Sequence, residues 1–191
     1  MGSSHPTKSL EWLFEPFIAG KKAHVLHLGH PLPNTVKTFT NYRCNIHVAD
    51  VFPKLSLPIF DEEKSGDYFQ FFYDTLDVNK TSSFNLCLFW DFFNFLDDTS
   101  LAAFADFLSP FLQEDCRAHA FAVHNTKSIP SQYVYGINDL QSISFRSREE
   151  PIRSQTPPTL RMLEEQLSCF SFEKKIILPD NRIELAMLKK P

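Results

Sequence analysis

The architecture of this chain can be read first from residues 23–50, AHVLHLGHPLPNTVKTFTNYRCNIHVAD. Ala23–Leu28 is an apolar run that predicts a strand, and it ends at Gly29. Residues 33–42 predict a helix, and Cys44–Ala49 predicts a second strand. A strand, a turn, a helix and a strand within about 30 residues form a βαβ unit, so we expect the two strands to be parallel neighbours.

The rest of the chain continues this alternation. The predicted helices are residues 9–15 (disturbed by Pro16), 67–76, a segment capped by residues 97–99, and 159–167. The predicted strands are residues 84–90, 118–123, 170–178 and 182–189. A Pro-Asp-Asn turn joins the last two strands, which is typical of an antiparallel hairpin. We therefore predict an α/β fold with a mostly parallel sheet and a C-terminal antiparallel hairpin.

The composition is that of a folded protein that is poor in glycine. The chain has 191 residues, of which 43% are hydrophobic, and this length fits one domain. Five residues are glycine, whereas average usage of about 7% gives about 13. The motifs G-x-G-x-x-G, G-x-x-x-x-G-K and G-x-S-x-G are all missing. Their absence excludes ordinary dinucleotide dehydrogenases, P-loop NTPases, protein kinases and serine hydrolases.

Cysteine spacing, hydropathy and charge predict a cytoplasmic protein. The four cysteines form no C-x-x-C pair, which excludes zinc ribbons and thioredoxin-like sites and favours reduced thiols. No apolar run reaches the ~18–20 residues of a membrane span, and the N-terminus lacks the apolar stretch of a signal peptide. The formal net charge is −4, without a basic stripe. We expect a protein or small-molecule partner that is still unknown, and neither nucleic acid nor membrane.

Two segments lack a regular hydrophobic pattern. Residues 1–8 are polar and predict a disordered N-terminus. Residues 125–157 are polar over 33 positions, and such stretches are usually lids or disordered loops, so we predict a long loop or lid. The remaining residues within 9–191 are predicted to form a single domain.

Three segments lie in register along the chain. They are HVLHLGHPLP at residues 24–33, Asp50 at 21 residues after Gly29, and FWDFFNFL at residues 89–96. Together they resemble the cofactor-facing motifs of class I S-adenosylmethionine-dependent methyltransferases. The resemblance covers about residues 10–190 and implies a Rossmann-like methyltransferase fold.

The resemblance implies a third strand at residues 55–60. Prolines 53 and 58 predict that this strand is short or missing.

The resemblance also implies S-adenosylmethionine as the cofactor and assigns roles to particular residues. The implied cofactor contacts are Gly29, His30, Asp50, Val51, Asp91 and Phe92. Asp50 would hold the ribose hydroxyls, and Asp91 would face the methionine amine or a substrate proton as a catalytic residue. The residues alone leave two other interpretations open: Asp50 caps the following turn, and Asp91 solvates the end of a buried strand.

The glycine loop departs from the family pattern G-x-G-x-G. Pro31 and Pro33 stand at the two later glycine positions, and His30 adds an imidazole to the same turn. Proline fixes φ and removes a backbone donor, and side-chain atoms here would collide with a cofactor. Two functions follow. The first is a methyltransferase-like pseudoenzyme with weakened or lost S-adenosylmethionine binding, which acts as a binding or scaffold protein. The second is an active methyltransferase on a small molecule or protein, which works by positioning donor and acceptor.

Four further residues are candidates for a site. His124 and Asn125 follow the fifth predicted strand, on the rim where open α/β sheets bind ligands. His124 is therefore a candidate acid–base group and Asn125 a candidate substrate contact. Arg146 and Arg148 are candidates to bind an acidic partner or substrate, with a solvated mixed-charge loop as the alternative. No metal site is expected, because the histidines of the first strand alternate between its faces.

Overall fold

The computed structural model describes residues 3–56, 67–127, 130–152 and 156–191. The helices of this part of the chain are α1 (Leu10–Ile18), α2 (Pro33–Phe39), α3 (Tyr68–Leu76), α4 (Asp98–Leu108) and α5 (Leu160–Gln166). The strands are β1 (Ser3–Pro6), β2 (Ala23–Leu28), β3 (Cys44–Ala49), β4 (Phe84–Trp90), β5 (Leu112–Val123), β6 (Tyr133–Asp139), β7 (Ser142–Ser147), β8 (Phe170–Ile177) and β9 (Arg182–Lys189). Short 3₁₀ turns lie at Phe52–Ser56, Phe92–Phe95 and Ser109–Phe111.

Within the part of the chain that the structure describes, six strands form the central sheet, in the order β3-β2-β4-β5-β9-β8. The first four are parallel, and β2 pairs with β3 along its whole length, which confirms the predicted βαβ unit. The last two strands pair antiparallel as predicted, and β9 is inserted between β5 and β8, antiparallel to both. The predicted α/β fold with a Rossmann-like, mostly parallel sheet is therefore confirmed.

At one edge of the sheet, β3 has no strand beyond it within the described residues. Part of the segment 55–60, where the third strand of the family order is expected, belongs to the 3₁₀ turn Phe52–Ser56. The rest of that segment lies outside the described residues.

The two faces of the central sheet bury separate aromatic cores. One face packs against α3, α4 and α5 in a core rich in phenylalanine, which includes Phe72, Phe89, Phe92, Phe93, Phe104 and Phe107. The other face packs against α1, α2 and a second sheet, with Phe14, Trp90, Phe121 and Tyr135 in its core. Because both faces of β4 are covered, all seven of its residues are buried, as its almost unbroken apolar sequence predicts.

Helix α1 continues past Pro16, where the sequence predicts a disturbance. Proline has no N–H to donate to the carbonyl four residues earlier, which belongs to Trp12. The Arg117 guanidinium donates to that Trp12 carbonyl oxygen instead. A side chain from β5 thus supplies the hydrogen bond that the helix cannot make, and the helix extends to Ile18.

The second sheet corrects two predictions, because it consists of three antiparallel strands in the order β1-β7-β6. Ser3–Pro6 is a strand of this sheet, so the N-terminal segment is not disordered over these residues. Within 125–157, Tyr133–Asp139 and Ser142–Ser147 form a hairpin where a loop or lid is predicted.

Two threonines of α2 cover the outer edge of this hairpin. The Thr35 hydroxyl accepts a hydrogen bond from the Ile137 N–H at 3.0 Å, and the Thr38 hydroxyl donates to the Ile137 carbonyl at 3.0 Å. Both backbone groups of Ile137 on the open edge of β6 are satisfied in this way, which joins the hairpin to α2.

Among the described residues, no helix has the length and apolar character that crossing a membrane requires.

Candidate functional site

The first part of the candidate site is the space between the carboxyl ends of β2, β3 and β4, which we call the crevice. Gly29 ends β2 with φ +84°, and its N–H donates to the Ala49 carbonyl at 2.7 Å. A Cβ atom at Gly29 would lie 2.7 Å from Cε2 of Phe52. The Phe52 ring also makes edge-to-face contacts with Phe92 and Phe95, with centroids 6.1 and 6.2 Å apart. Phe52 therefore fills the crevice beside the bare main chain of Gly29.

Arg148 covers the other side of the Phe52 ring. Its guanidinium carbon lies 3.7 Å from the ring centroid, a cation–π contact. Nη2 of the same guanidinium donates to Oδ1 of Asp91 at 3.2 Å. The Arg148 side chain is 9% exposed and that of Asp91 0%, so the ion pair is almost completely removed from water.

The Asp91–Arg148 pair is incompletely hydrogen-bonded. Oδ2 of Asp91 and Nε of Arg148 are buried and have no hydrogen-bond partner among the described residues. Burial raises the pKa of Asp91 from 3.8 to about 6, although the Arg148 charge and hydrogen bond act to lower it. The carboxylate is thus charged at neutral pH although burial disfavours its charged form, and Arg148 supplies its counter-charge.

A buried histidine connects Gly29 to the end of β4. The Trp90 indole N–H donates to Nε2 of His27 at 3.2 Å, and Nδ1 of His27 lies 3.0 Å from the Gly29 carbonyl oxygen. We assign the neutral tautomer that carries its proton on Nδ1, since it satisfies both contacts. Burial lowers the pKa of His27 from 6.5 to about 4, which keeps the ring neutral. Trp90 itself has φ +54°, a strained conformation for a bulky residue, directly before Asp91.

Strand β6 packs closely against the start of α2. A Cβ atom at Gly136 would lie 2.5 Å from Oδ1 of Asn34 and 2.8 Å from Cβ of Leu32. Pro33 occupies the first turn of α2, where a missing N–H costs no helical hydrogen bond. The loop after Gly29 is therefore held between its own helix and the β6–β7 hairpin.

An open cleft of about 360 Å³ adjoins Phe52 and Arg148 on the outside. His30, Asp50 and Arg146 also line it, so the structure brings four predicted site residues together. Asp50 is exposed, and its carboxylate accepts no hydrogen bond from the described residues. It therefore does not cap the following turn, which was the alternative interpretation.

The other predicted site residues lie elsewhere. Val51 and Phe92 are fully buried, so neither presents surface to a ligand in this structure. His124 and Asn125 line a different cavity of about 450 Å³ beyond the end of β5, next to the start of α5. His124 is thus not a lining residue of the cleft that contains Asp50.

Sequence reasoning missed three features of the crevice: the Phe52 ring against Gly29, the Asp91–Arg148 pair and the His27–Trp90 hydrogen bond. A buried histidine two residues before a glycine had no pattern that distinguished it from a core residue. One sequence signal near Arg148 could have been used, because SISF at residues 142–145 alternates polar and apolar residues, which is typical of a strand. That signal places Arg148 directly after a strand.

The comparisons with known proteins agree with this geometry. The chain matches no model of a protein family and no curated protein in sequence. Among solved structures it is similar to the N-methyltransferase NodS from Bradyrhizobium japonicum WM9, with 10% identity and a TM-score of 0.53 over 95% of this chain and 94% of NodS. It is also similar to an S-adenosylmethionine-dependent methyltransferase from Clostridium acetobutylicum ATCC 824, with 13% identity and a TM-score of 0.54 over 95% and 91%.

A third similar structure contains the cofactor. It is CalS10, an amino pentose methyltransferase from Micromonospora echinaspora with S-adenosylmethionine bound, at 13% identity and a TM-score of 0.54 over 95% and 88% of the two chains. The predicted resemblance is confirmed at the level of the fold: the chain has the fold of class I S-adenosylmethionine-dependent methyltransferases. Identities of this size carry no further function from one protein to another.

Proposed function

We propose that this chain is a methyltransferase-like pseudoenzyme: a binding or scaffold protein that has the fold without the use of S-adenosylmethionine. The observation that carries the proposal is the Phe52 ring, which lies against Gly29 where the family resemblance implies cofactor. A glycine is useful in such a loop because ligand atoms can approach its main chain. Here the Phe52 ring already occupies the position next to the Gly29 main chain.

The two other cofactor-facing positions support the same conclusion. Asp91, which the resemblance directs to the methionine amine or a substrate proton, is buried and paired with Arg148. The loop between Gly29 and α2 is packed under Gly136 of β6, with 2.8 Å between the Leu32 Cβ and an added Cβ. The residues present therefore do not fit the cofactor, because the Phe52 ring lies against Gly29 and the Arg148 guanidinium lies against Asp91, where the resemblance implies cofactor atoms.

One observation favours the second candidate function, an active methyltransferase on a small molecule or protein. Asp50 is exposed beside an open cleft, and its carboxylate has no hydrogen-bond donor among the described residues. A ribose would find this carboxylate available. For this function the Phe52 ring and the Arg148 guanidinium must leave the crevice when cofactor binds.

Partners and compartment belong to the same proposal. The four cysteines are free thiols, which supports a reducing environment such as the cytoplasm. A protein or small molecule that binds at the cleft is the partner we propose, and neither nucleic acid nor membrane.

Isothermal titration calorimetry with S-adenosylmethionine and S-adenosylhomocysteine tests the proposal directly. We expect no heat of binding for the wild-type chain at millimolar ligand. The informative variants are Asp50→Ala and, as a matched control, Asp106→Ala, which removes an exposed carboxylate from α4. Micromolar binding by the wild type that Asp50→Ala abolishes and Asp106→Ala preserves would overturn the pseudoenzyme proposal in favour of the enzyme.

A further inference from the structure

The crevice contains the features of a guanidinium-binding site. The Arg148 guanidinium lies in contact with a buried carboxylate, that of Asp91, and with an aromatic ring, that of Phe52. A carboxylate paired with an aromatic face is the combination that binds a planar cation best. We propose that Asp91 and Phe52 form a binding site for an arginine side chain, that Arg148 occupies it from within the chain, and that an arginine of a basic partner peptide replaces Arg148 there.

The internal arginine leaves the binding capacity of the site partly unused. Arg148 makes one hydrogen bond to Asp91, from Nη2 to Oδ1, while Oδ2 and Nε are buried without partners. An arginine that approaches in line with the carboxylate donates two parallel hydrogen bonds and satisfies both oxygens. A partner arginine therefore gains a contact that Arg148 does not make, and this gain favours exchange.

The open cleft provides the route and selects for positive charge. Phe52 and Arg148 both line it, so a ligand in the cleft contacts the guanidinium that covers the Asp91 carboxylate and reaches that carboxylate when Arg148 leaves. Its described acidic side chains are Asp50, Glu149 and Glu150, against Arg146 and Arg148, and Arg148 is already neutralised by Asp91. The rim is therefore net negative among the described residues, and it attracts a basic peptide and repels an anionic ligand.

The geometry also separates arginine from lysine. An ammonium group is a strongly hydrated point charge that cannot form the two-pronged contact or stack as a plane on Phe52. We expect arginine to be preferred by at least tenfold. The inference rests on the proposed function, because a cofactor in the crevice would compete for the same space.

Nuclear magnetic resonance of the two tryptophan indole N–H groups gives a direct readout. The chain contains only Trp12 and Trp90. The Trp90 indole donates to His27 beside the site, whereas Trp12 lies in α1 and serves as a reference in the same spectrum. The probes are N-acetyl-arginine-N-methylamide and, as a matched control, N-acetyl-lysine-N-methylamide, titrated into the wild type and Arg148→Ala.

We expect the arginine probe to give a saturable shift of the Trp90 signal in Arg148→Ala, with a dissociation constant at least tenfold lower than in the wild type and at least tenfold lower than for the lysine probe. Adding Asp91→Asn should abolish the shift. A folded Arg148→Ala protein without a saturable shift, or with equal affinity for both probes, overturns the inference. If Arg148→Ala does not fold, Arg148→Lys replaces it with the same expectations, and no preference for the arginine probe there overturns the inference equally.

The calorimetric test of the proposed function gives an independent result. Binding of S-adenosylhomocysteine by the wild type refutes the proposed function whatever the arginine probe does. If neither ligand binds, the guanidinium site alone is refuted.

Discussion

Substitution of Asp91 by Asn should change how the stability of the protein depends on pH. Burial raises the pKa of this carboxyl from 3.8 to about 6 in the folded chain. The folded state therefore holds the Asp91 proton more tightly than the unfolded state does. The stability that this group contributes is fully present below pH 3.8 and is lost as the pH rises through about 6. Asparagine has nearly the same shape and no proton to lose.

The size of the effect follows from the two pKa values. The difference between a pKa of 3.8 and a pKa of about 6 corresponds to about 3 kcal/mol between the two protonation states of Asp91. Because the wild type loses this stability as the pH rises, the free energy of unfolding of Asp91→Asn minus that of the wild type should increase by about 2 kcal/mol from pH 4.5 to pH 7.5. The absolute difference at one pH also includes the loss of the counter-charge of Arg148, so the pH dependence of the difference is the informative quantity.

Urea denaturation of both proteins at pH values from 4.5 to 7.5 measures this quantity. Arg148→Met should enlarge the pH dependence, because the Arg148 charge lowers the pKa of Asp91 and its removal lets that pKa rise further. The double variant should lose the Asp91 contribution altogether. Parallel pH profiles for the wild type and Asp91→Asn would refute the buried carboxylate described above.

Three other predictions concern the packing around Gly29. In urea denaturation, Gly29→Ala should destabilise the protein by about 1–3 kcal/mol more than Gly20→Ala. Both glycines have positive φ, but only at Gly29 would an added Cβ meet Phe52. Equal losses of stability in the two variants would contradict this contact. Phe52→Ala should cost about 3–5 kcal/mol and lower the Tm in calorimetry by about 10 °C, and a neutral result would mean that the ring lies outside the crevice. His27→Leu should lower the free energy of unfolding by about 1–3 kcal/mol at pH 7.5 for each group left unpaired. This loss should shrink as the pH falls from 6.5 through about 4, because the wild type then loses the stability that its neutral His27 contributes. A loss that is constant with pH would contradict the neutral ring.

The strands of the central sheet could be predicted because the apolar residues that they bury are consecutive or nearly consecutive in the sequence. Phe84–Trp90 is apolar except for Asn85 since both faces of β4 are covered, and Ala23–Leu28 is followed by a glycine whose φ is positive. The position of Asp91 could be predicted for the same reason, because a polar residue after a buried run marks the end of a parallel strand. Asp50 could be placed because it follows Cys44–Ala49, the second strand of the βαβ unit.

The contents of the crevice could not be predicted, since they depend on contacts between distant residues. Asp91 and Arg148 are 57 positions apart, and nothing in either neighbourhood specifies the other. The strand Ser3–Pro6 is similar, because its four residues pair with Ser142–Ser147, which lie far away in the sequence. Local sequence patterns therefore predict the strands around such a site, whereas the side chains that fill it depend on tertiary packing.

The insertion of β9 between β5 and β8 has a consequence for synthesis on the ribosome. β5 and β8 have no shared hydrogen bonds, and both pair with Arg182–Lys189. The parallel part of the sheet emerges first and exposes the edge of β5 until the 66 residues from His124 to Lys189 have also been translated and have left the exit tunnel. Nascent chains halted before that point present an apolar strand edge to chaperones and to each other. Pairing of β9 with β5, and not formation of the early βαβ unit, therefore determines when this strand edge is no longer exposed to aggregation.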